Sequence, residues 1–292
     1  SFVYCFHMPA FFFISGFLEG EKRRSISEKK QAIVKKAKRL MVPYFFLTVV
    51  TAVLKLLFGA FARNPLNYST LAVDVLIGRN NPNGGLWFLY ALFVISIFGI
   101  LFDNVSRTVL AGVMFVLYML NTVVLKQSGY IVGFFLSYAW IYFMGGAVRK
   151  HLFEIIKNSE LLMSVKGIVL IAVVSVGYMM LAFVSIYKSQ SWSLATAVTV
   201  IGVFLLFVIA VQIEHYHCGE KLWMVLGDYG MDIYMIGYYV QQAIFVVCGK
   251  ILGFDYLVYA WMMLFLGLIA PIFLSKYVVR KNHMLSTLIL GR

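Results

Sequence analysis

The stretch Cys5-Phe6-His7-Met8-Pro9-Ala10-Phe11-Phe12-Phe13-Ile14-Ser15-Gly16-Phe17-Leu18 is apolar apart from His7, Pro9 and the Ser15-Gly16 pair. Residues 22–39 follow at once and hold nine Lys and Arg side chains. A run of roughly 17–25 apolar residues is what a helix needs to cross hydrocarbon. A dense basic segment directly after such a run is the mark of a cytosolic flank. Outward from this pair, comparable runs recur at 2–18, 40–61, 86–102, 108–125, 130–148, 167–186, 193–213, 231–249 and 256–274. They lack the strict alternation of a transmembrane barrel, and lipid requires each span to pair its own backbone, so they read as helices. The expected fold is all-α: a polytopic membrane bundle of nine spans in a single integral-membrane domain over residues 1–292.

Composition agrees. Of the 292 residues, 62% are hydrophobic and only 13% charged, and mean hydropathy is +0.88. Soluble domains are nearer half apolar and a quarter charged, so a water-soluble enzyme, a disordered chain and a secreted disulfide scaffold are excluded. The net charge of +13 would suggest nucleic acid in a soluble protein. Here the cations sit in short loops between apolar runs, and nucleic acid is set aside as a partner. Cys5, Cys218 and Cys248 are odd in number and far apart, with no CxxC pair.

Threading the nine spans with the first running outside to inside sorts the charge. Nineteen of the twenty-five Lys and Arg fall in inner segments. Only Arg63, Arg79, Lys126, Lys188 and Lys250 fall outside, with Lys55 inside a span. The asymmetry supports this threading and places the C-terminus inside. One further leading span would make ten with both termini inside, so the intact protein is expected to have ten helices. The longest outer polar stretch, residues 62–85, carries Asn64-Pro65 and Asn80-Asn81-Pro82-Asn83-Gly84-Gly85. This is turn chemistry and reads first as a plain connector, with an outer lid as the alternative.

A few residues stand out for chemistry. His7 within a span is a functional candidate by default, because an intramembrane ionisable group is costly. Pro9 removes a helical donor and frees a carbonyl. Ser15-Gly16 offers a small surface for another backbone or a ligand. The basic run from Lys22 to Arg39, with Lys36 and Arg39 nearest the membrane, suits either anionic lipid head groups or a phosphorylated cytosolic ligand. Pro43 reads as a first-turn proline, where a missing N–H is harmless. Trp87 opens the third span at interfacial depth. Asp232 sits in the first turn of the eighth span, where the helix dipole favours it. His215, His217 and Cys218 share one inner loop, but their spacing matches no standard zinc site.

The run His7-Met8-Pro9-x-Phe11-Phe12-Phe13-x-Ser15-Gly16-Phe17-Leu18 resembles the second span of the membrane acyltransferase 3 family, closest to its sugar O-acetyltransferase-like branch. Lys38-Arg39-Leu40-Met41-Val42-Pro43-Tyr44, Leu86-Trp87-Phe88-Leu89 and the closing Leu288-Ile289-Leu290-Gly291-Arg292 resemble later motifs of that family, in the same order. The resemblance implies ten helices and transfer of an acyl group, usually acetyl from acetyl-CoA, to a hydroxyl of a surface or lipid-linked sugar. The family's best-known catalytic His lies in the first span, which this chain lacks; His7 corresponds to the second-span His. The eighth span departs from the family, with Met235 where many members carry a His after the Ile-Tyr pair.

The resemblance makes His7 the candidate general base. It makes Ser15, Gly16, Lys36, Arg39, Tyr44 and Trp87 candidates for binding donor or acceptor. Acyl-CoA is expected as a co-substrate rather than a resident cofactor, with no metal. The partners are membrane lipid and a carbohydrate acceptor, and the location is a bacterial inner membrane. The rival reading is a polytopic transporter or flippase, or an assembly subunit for polysaccharide export; a carrier should show repeated halves, and none is evident.

Overall fold

The computed structural model describes residues 7–59, 69–78, 80–123, 130–149, 152–187 and 192–292. The expectations for residues 2–6, Cys5, Arg63, Asn64-Pro65, Arg79, Lys126, Lys150 and Lys188 lie outside the described residues. Among the described residues every regular element is a helix. They are α1 (His7–Glu19), α2 (Ile26–Leu57), α3 (Leu71–Leu76), α4 (Trp87–Leu101), α5 (Arg107–Val123), α6 (Tyr130–Val148), α7 (Leu152–Lys157), α8 (Val165–Tyr187), α9 (Trp192–His215), α10 (Glu220–Ile244), α11 (Tyr256–Leu274) and α12 (His283–Leu290). Two π-helical segments, Phe245–Ile251 and Ser275–Val279, extend α10 and α11.

Five described helices are long and apolar enough to cross a membrane: Ile26–Leu57, Val165–Ser185, Ser193–His215, Glu220–Ile251 and Tyr256–Val279. Trp87–Leu101, Arg107–Val123 and Val132–Val148 are apolar but shorter. The chain is therefore an all-helical, multi-pass membrane protein.

One boundary differs from expectation. The basic segment before residue 40 is not an inner loop beyond Ile26; it is the first half of α2, which runs for 32 residues. Its Lys, Ala, Gln and Glu residues are good helix formers. A capping box starts it: Ser25 N–H donates to Glu28 Oε2 at 2.7 Å, and Glu28 N–H donates back to Ser25 Oγ at 3.4 Å. Pro43 consequently lies deep inside the helix rather than in its first turn. Its missing N–H leaves the carbonyl four residues earlier, that of Arg39, without its helical donor.

The chain divides into two compact units, Ser1–Lys29 with Val94–Glu220, and Lys30–Phe93 with Lys221–Arg292. In the first unit α6 packs against both α1 and α5. Glycines make the α1–α6 approach possible. A Cβ at Gly16 would overlap the Tyr142 carbonyl, and one at Gly145 would overlap that of Phe13. The two backbones touch, which is how helices associate where lipid supplies no hydrophobic drive. Phe12 stacks on Tyr138 with centroids 4.7 Å apart. Ile156, Ile171, Tyr178, Val198 and Val208 form the core of the α8–α9 pair.

Cations close the polar ends of this unit. Arg107 is 3% exposed; it donates to the carbonyls of Gly20 at 3.2 Å and Gly99 at 3.0 Å. Arg149 donates to Leu18 O at 3.0 Å and Lys29 to Leu101 O at 3.2 Å. These are carbonyls at helix C-termini, where cations are favoured. Buried Asp103 pairs with Lys29 at 2.7 Å and accepts from the Arg24 backbone N–H at 2.9 Å. Arg24 in turn pairs with Glu19.

Gly16→Leu should therefore destabilise the first unit by roughly 1–3 kcal/mol or more, the usual range for overpacking. A thermal melt in detergent checks this, against Gly112→Leu, where no atom lies near the added carbon.

Candidate functional site

The basic half of α2 builds a cleft in the second unit. Lys30, Gln31, Val34, Lys35, Lys38 and Arg39 recur at the spacing of one helix face. With Gly291 and Arg292 they line a cavity of about 800 Å³. Five of those eight residues are cations and none is a carboxylate. Like charges this close repel one another, and a polyanion relieves that repulsion. Arg supplies a planar fork for phosphate, and each Lys acts as a point charge.

Pro43 and Gly291 shape the far end of the cleft. Gly291 ends α12 in the left-handed conformation, at φ 65°. A Cβ there would overlap Cα and the carbonyl of Arg39. Only a glycine fits both demands. The C-terminal segment thus lies directly against the backbone group that Pro43 leaves without a helical donor.

The structure places the other sequence candidates as follows. His7 is half-buried at the start of described α1, in the first unit. Ser15 is half-buried on the same helix. The open side of Gly16 is filled by the Tyr142 backbone, so this glycine serves helix packing. Lys36 is half-buried on α2 but is not among the cleft residues. Trp87 opens α4 half-buried, with its ring edge-on to Phe88 at 6.4 Å. Arg39 is the one sequence candidate that reaches the cleft.

Tyr44 is fully buried and serves a different structure. Its hydroxyl donates to Val75 O at 2.8 Å. Tyr90 OH donates to Leu76 O at 2.8 Å, and Asn81 Nδ2 donates to Thr48 Oγ1 at 2.7 Å. Thr51 bonds Tyr239 at 2.8 Å, and Tyr234 donates to Gly85 O. Asp74, Val75, Pro82 and Asn83 are buried. The described part of the expected connector is thus a docked segment, folded back along α2. Tyr44 lies thirteen residues before the end of α2, or about 20 Å at 1.5 Å per residue. The reason is hydrogen bonding: the segment exposes backbone carbonyls, and tyrosines and threonines on α2, α4 and α10 answer them.

Sequence reading missed one group altogether. Asp232 on α10 is fully buried. It accepts from Ser275 Oγ and from Arg280, whose Nε and Nη2 both lie 2.7 Å away. The helix-dipole account is replaced by an ion pair. The available signal was a carboxylate at the edge of an apolar run, since such groups need partners.

With this geometry in view, comparison with known proteins is informative. A family profile described as an acyltransferase domain matches residues 1–279. The chain belongs to the acyltransferase 3 family. It is a membrane acyltransferase of a general kind, and transfer chemistry takes precedence over the carrier and assembly readings. No curated protein and no solved structure matches it.

Tyr44→Phe removes one hydrogen bond to the docked segment, worth about 1 kcal/mol. Amide exchange at residues 71–78 should then speed up about fivefold, with α11 unaffected, as read by hydrogen–deuterium exchange.

Proposed function

We propose that this membrane acyltransferase moves an acyl group, acetyl first, from acyl-CoA to a hydroxyl of a cell-surface or lipid-linked carbohydrate. The observation that carries the reading is the basic cleft on α2, in a chain whose family transfers acyl groups. Coenzyme A carries three phosphates at one end and the thioester at the other. Lys30, Lys35, Lys38, Arg39 and Arg292 match the charged end in sign and number. Lys36, on the same helix, adds to the field without lining the cleft. The cleft faces the cytosol, where acyl-CoA is made. All nine spans of the threading cross a bacterial inner membrane, and the C-terminus is cytosolic.

In the reaction, the acceptor hydroxyl oxygen attacks the thioester carbonyl. A base takes the hydroxyl proton, an oxyanion forms and collapses, and the CoA thiolate leaves and is protonated. His7 is the proposed base, because imidazole exchanges protons near neutral pH. Ser15 is the proposed donor to the oxyanion. Trp87 supplies an aromatic face for the acceptor sugar. Gly16 and Tyr44 support the site through helix packing and the docked segment. Acyl-CoA enters and leaves as a co-substrate. No metal and no nucleic acid takes part.

The test is transfer of label from acetyl-CoA to a panel of surface sugars by the membrane-inserted protein. His7→Ala should lower the rate by about 10²–10⁴-fold, the usual weight of a general base, with insertion intact. Full activity would assign the base elsewhere. The pair Lys35→Glu and Lys38→Glu should raise KM for acetyl-CoA at least tenfold and flatten its salt dependence. An unchanged KM would remove the cleft from donor binding.

A further inference from the structure

The family match stops at residue 279, yet two of the eight residues that line the basic cleft lie beyond it. We infer that residues 280–292 form a clasp that makes the second wall of the donor cleft, and that the buried Asp232–Arg280 pair is the positioning latch that holds this clasp in place. The inference rests on the donor reading above and adds residues that reading does not use.

The latch is built at the root of the clasp. The π-helical segment Ser275–Val279 ends α11, and Arg280 follows it directly. Arg280 is fixed on three sides. It gives Nε and Nη2 to Asp232 Oδ2, gives Nη2 again to Asp228 O at 2.7 Å, and lies over the Tyr229 ring at 3.8 Å. Ser275 adds a hydroxyl to the same carboxylate oxygen. All of these residues lie in the second unit. A forked guanidinium on a fully buried carboxylate fixes direction as well as distance.

From that point the chain has little freedom. Two residues later Asn282 Oδ1 accepts from the N–H groups of Met284 at 2.9 Å and Leu285 at 3.2 Å, which sets the start of α12. At the other end Leu290 is 1% exposed, and Gly291 lies on the Arg39 backbone. Between them α12 has eight residues, about 12 Å at 1.5 Å per residue. A tilt of about 20° at the root would move its tip roughly 4 Å. That distance separates a two-walled cleft from a single exposed helix face. Removing the wall takes away Arg292 and opens the remaining cations to water, where each attraction for phosphate is weaker. A latch far from the ligand thus controls affinity through geometry.

The experiment is calorimetric titration of the purified full chain in neutral detergent, with CoA and with dephospho-CoA as probes. Asp232→Asn and Arg280→Gln should each weaken CoA binding about tenfold, with unchanged stoichiometry. The preference for CoA over dephospho-CoA should shrink to nearly one. Arg280→Lys, which keeps the charge but not the fork, should fall between. Gly291→Val leaves the latch intact and pushes the tip off Arg39, so it should lose affinity in the same way. It also decides the matter if Asp232→Asn fails to fold. Lys35→Glu with Lys38→Glu tests the cleft itself. If that pair weakens CoA binding while the latch variants and Gly291→Val bind as the parent does, the clasp is overturned and the donor cleft stands. Loss in Asp232→Asn without loss in Gly291→Val also overturns it. If the parent does not bind CoA, or the lysine pair changes nothing, the donor cleft falls and the clasp falls with it.

Discussion

Hydrocarbon offers no hydrogen bonds, and that deficit organises the polar residues of this chain. Every backbone group in a span must be answered from within the protein. Helices answer most of them, but three kinds remain: carbonyls at helix ends, carbonyls freed by proline, and the backbone of segments that are not helical. Each finds a specific partner. Arg107, Arg149 and Lys29 take carbonyls at the ends of α1 and α4. Tyr44 and Tyr90 take those of the docked segment. The cations that orient the chain by their number therefore also serve as caps by their position.

The same rule explains the cleft. A proline near the middle of a long helix removes one internal bond, and the helix continues because its surroundings tolerate the loss. At Arg39 the surroundings are the tip of the last helix, brought close by a residue with no side chain. The cations of α2 would otherwise stand on a solvated face, as basic flanks usually do. Folding the C-terminal segment onto them turns orientation charge into a concave surface of one sign. Chemistry that needs a phosphorylated donor gains a place to hold it, next to the membrane in which transfer occurs.

Much of the fold was legible. Long apolar runs announced helices, because only a helix satisfies a lone segment in lipid, and the family motif around His7 and Ser15-Gly16 pointed to acyl transfer. The site was less legible. Arg39 stood out because it sits where the basic run meets the apolar one. Lys30, Lys35 and Lys38 were visible only as charge, since a basic run reads the same whether it faces lipid, water or a ligand. Tyr44 was singled out for its motif, but its partner is a carbonyl thirty-one residues away, and nothing local signals that distance. Pro43 was read as a first-turn residue because the apolar run, rather than the helix, was used to set the boundary.

By itself the sequence determined the class of fold, the alternation of membrane and loop, and the side on which the charge lies. These are properties of single segments: length, hydropathy and the count of cations at each end. Tertiary structure alone decided which cations share a cleft, why Gly16 and Gly291 must be glycines, where the outer segment docks, and that Asp232 is held by Arg280. Those are pairings between residues distant in the chain. Their energies come from geometry of a few tenths of an ångström, close backbone contacts and forked hydrogen bonds, which no one-dimensional pattern encodes.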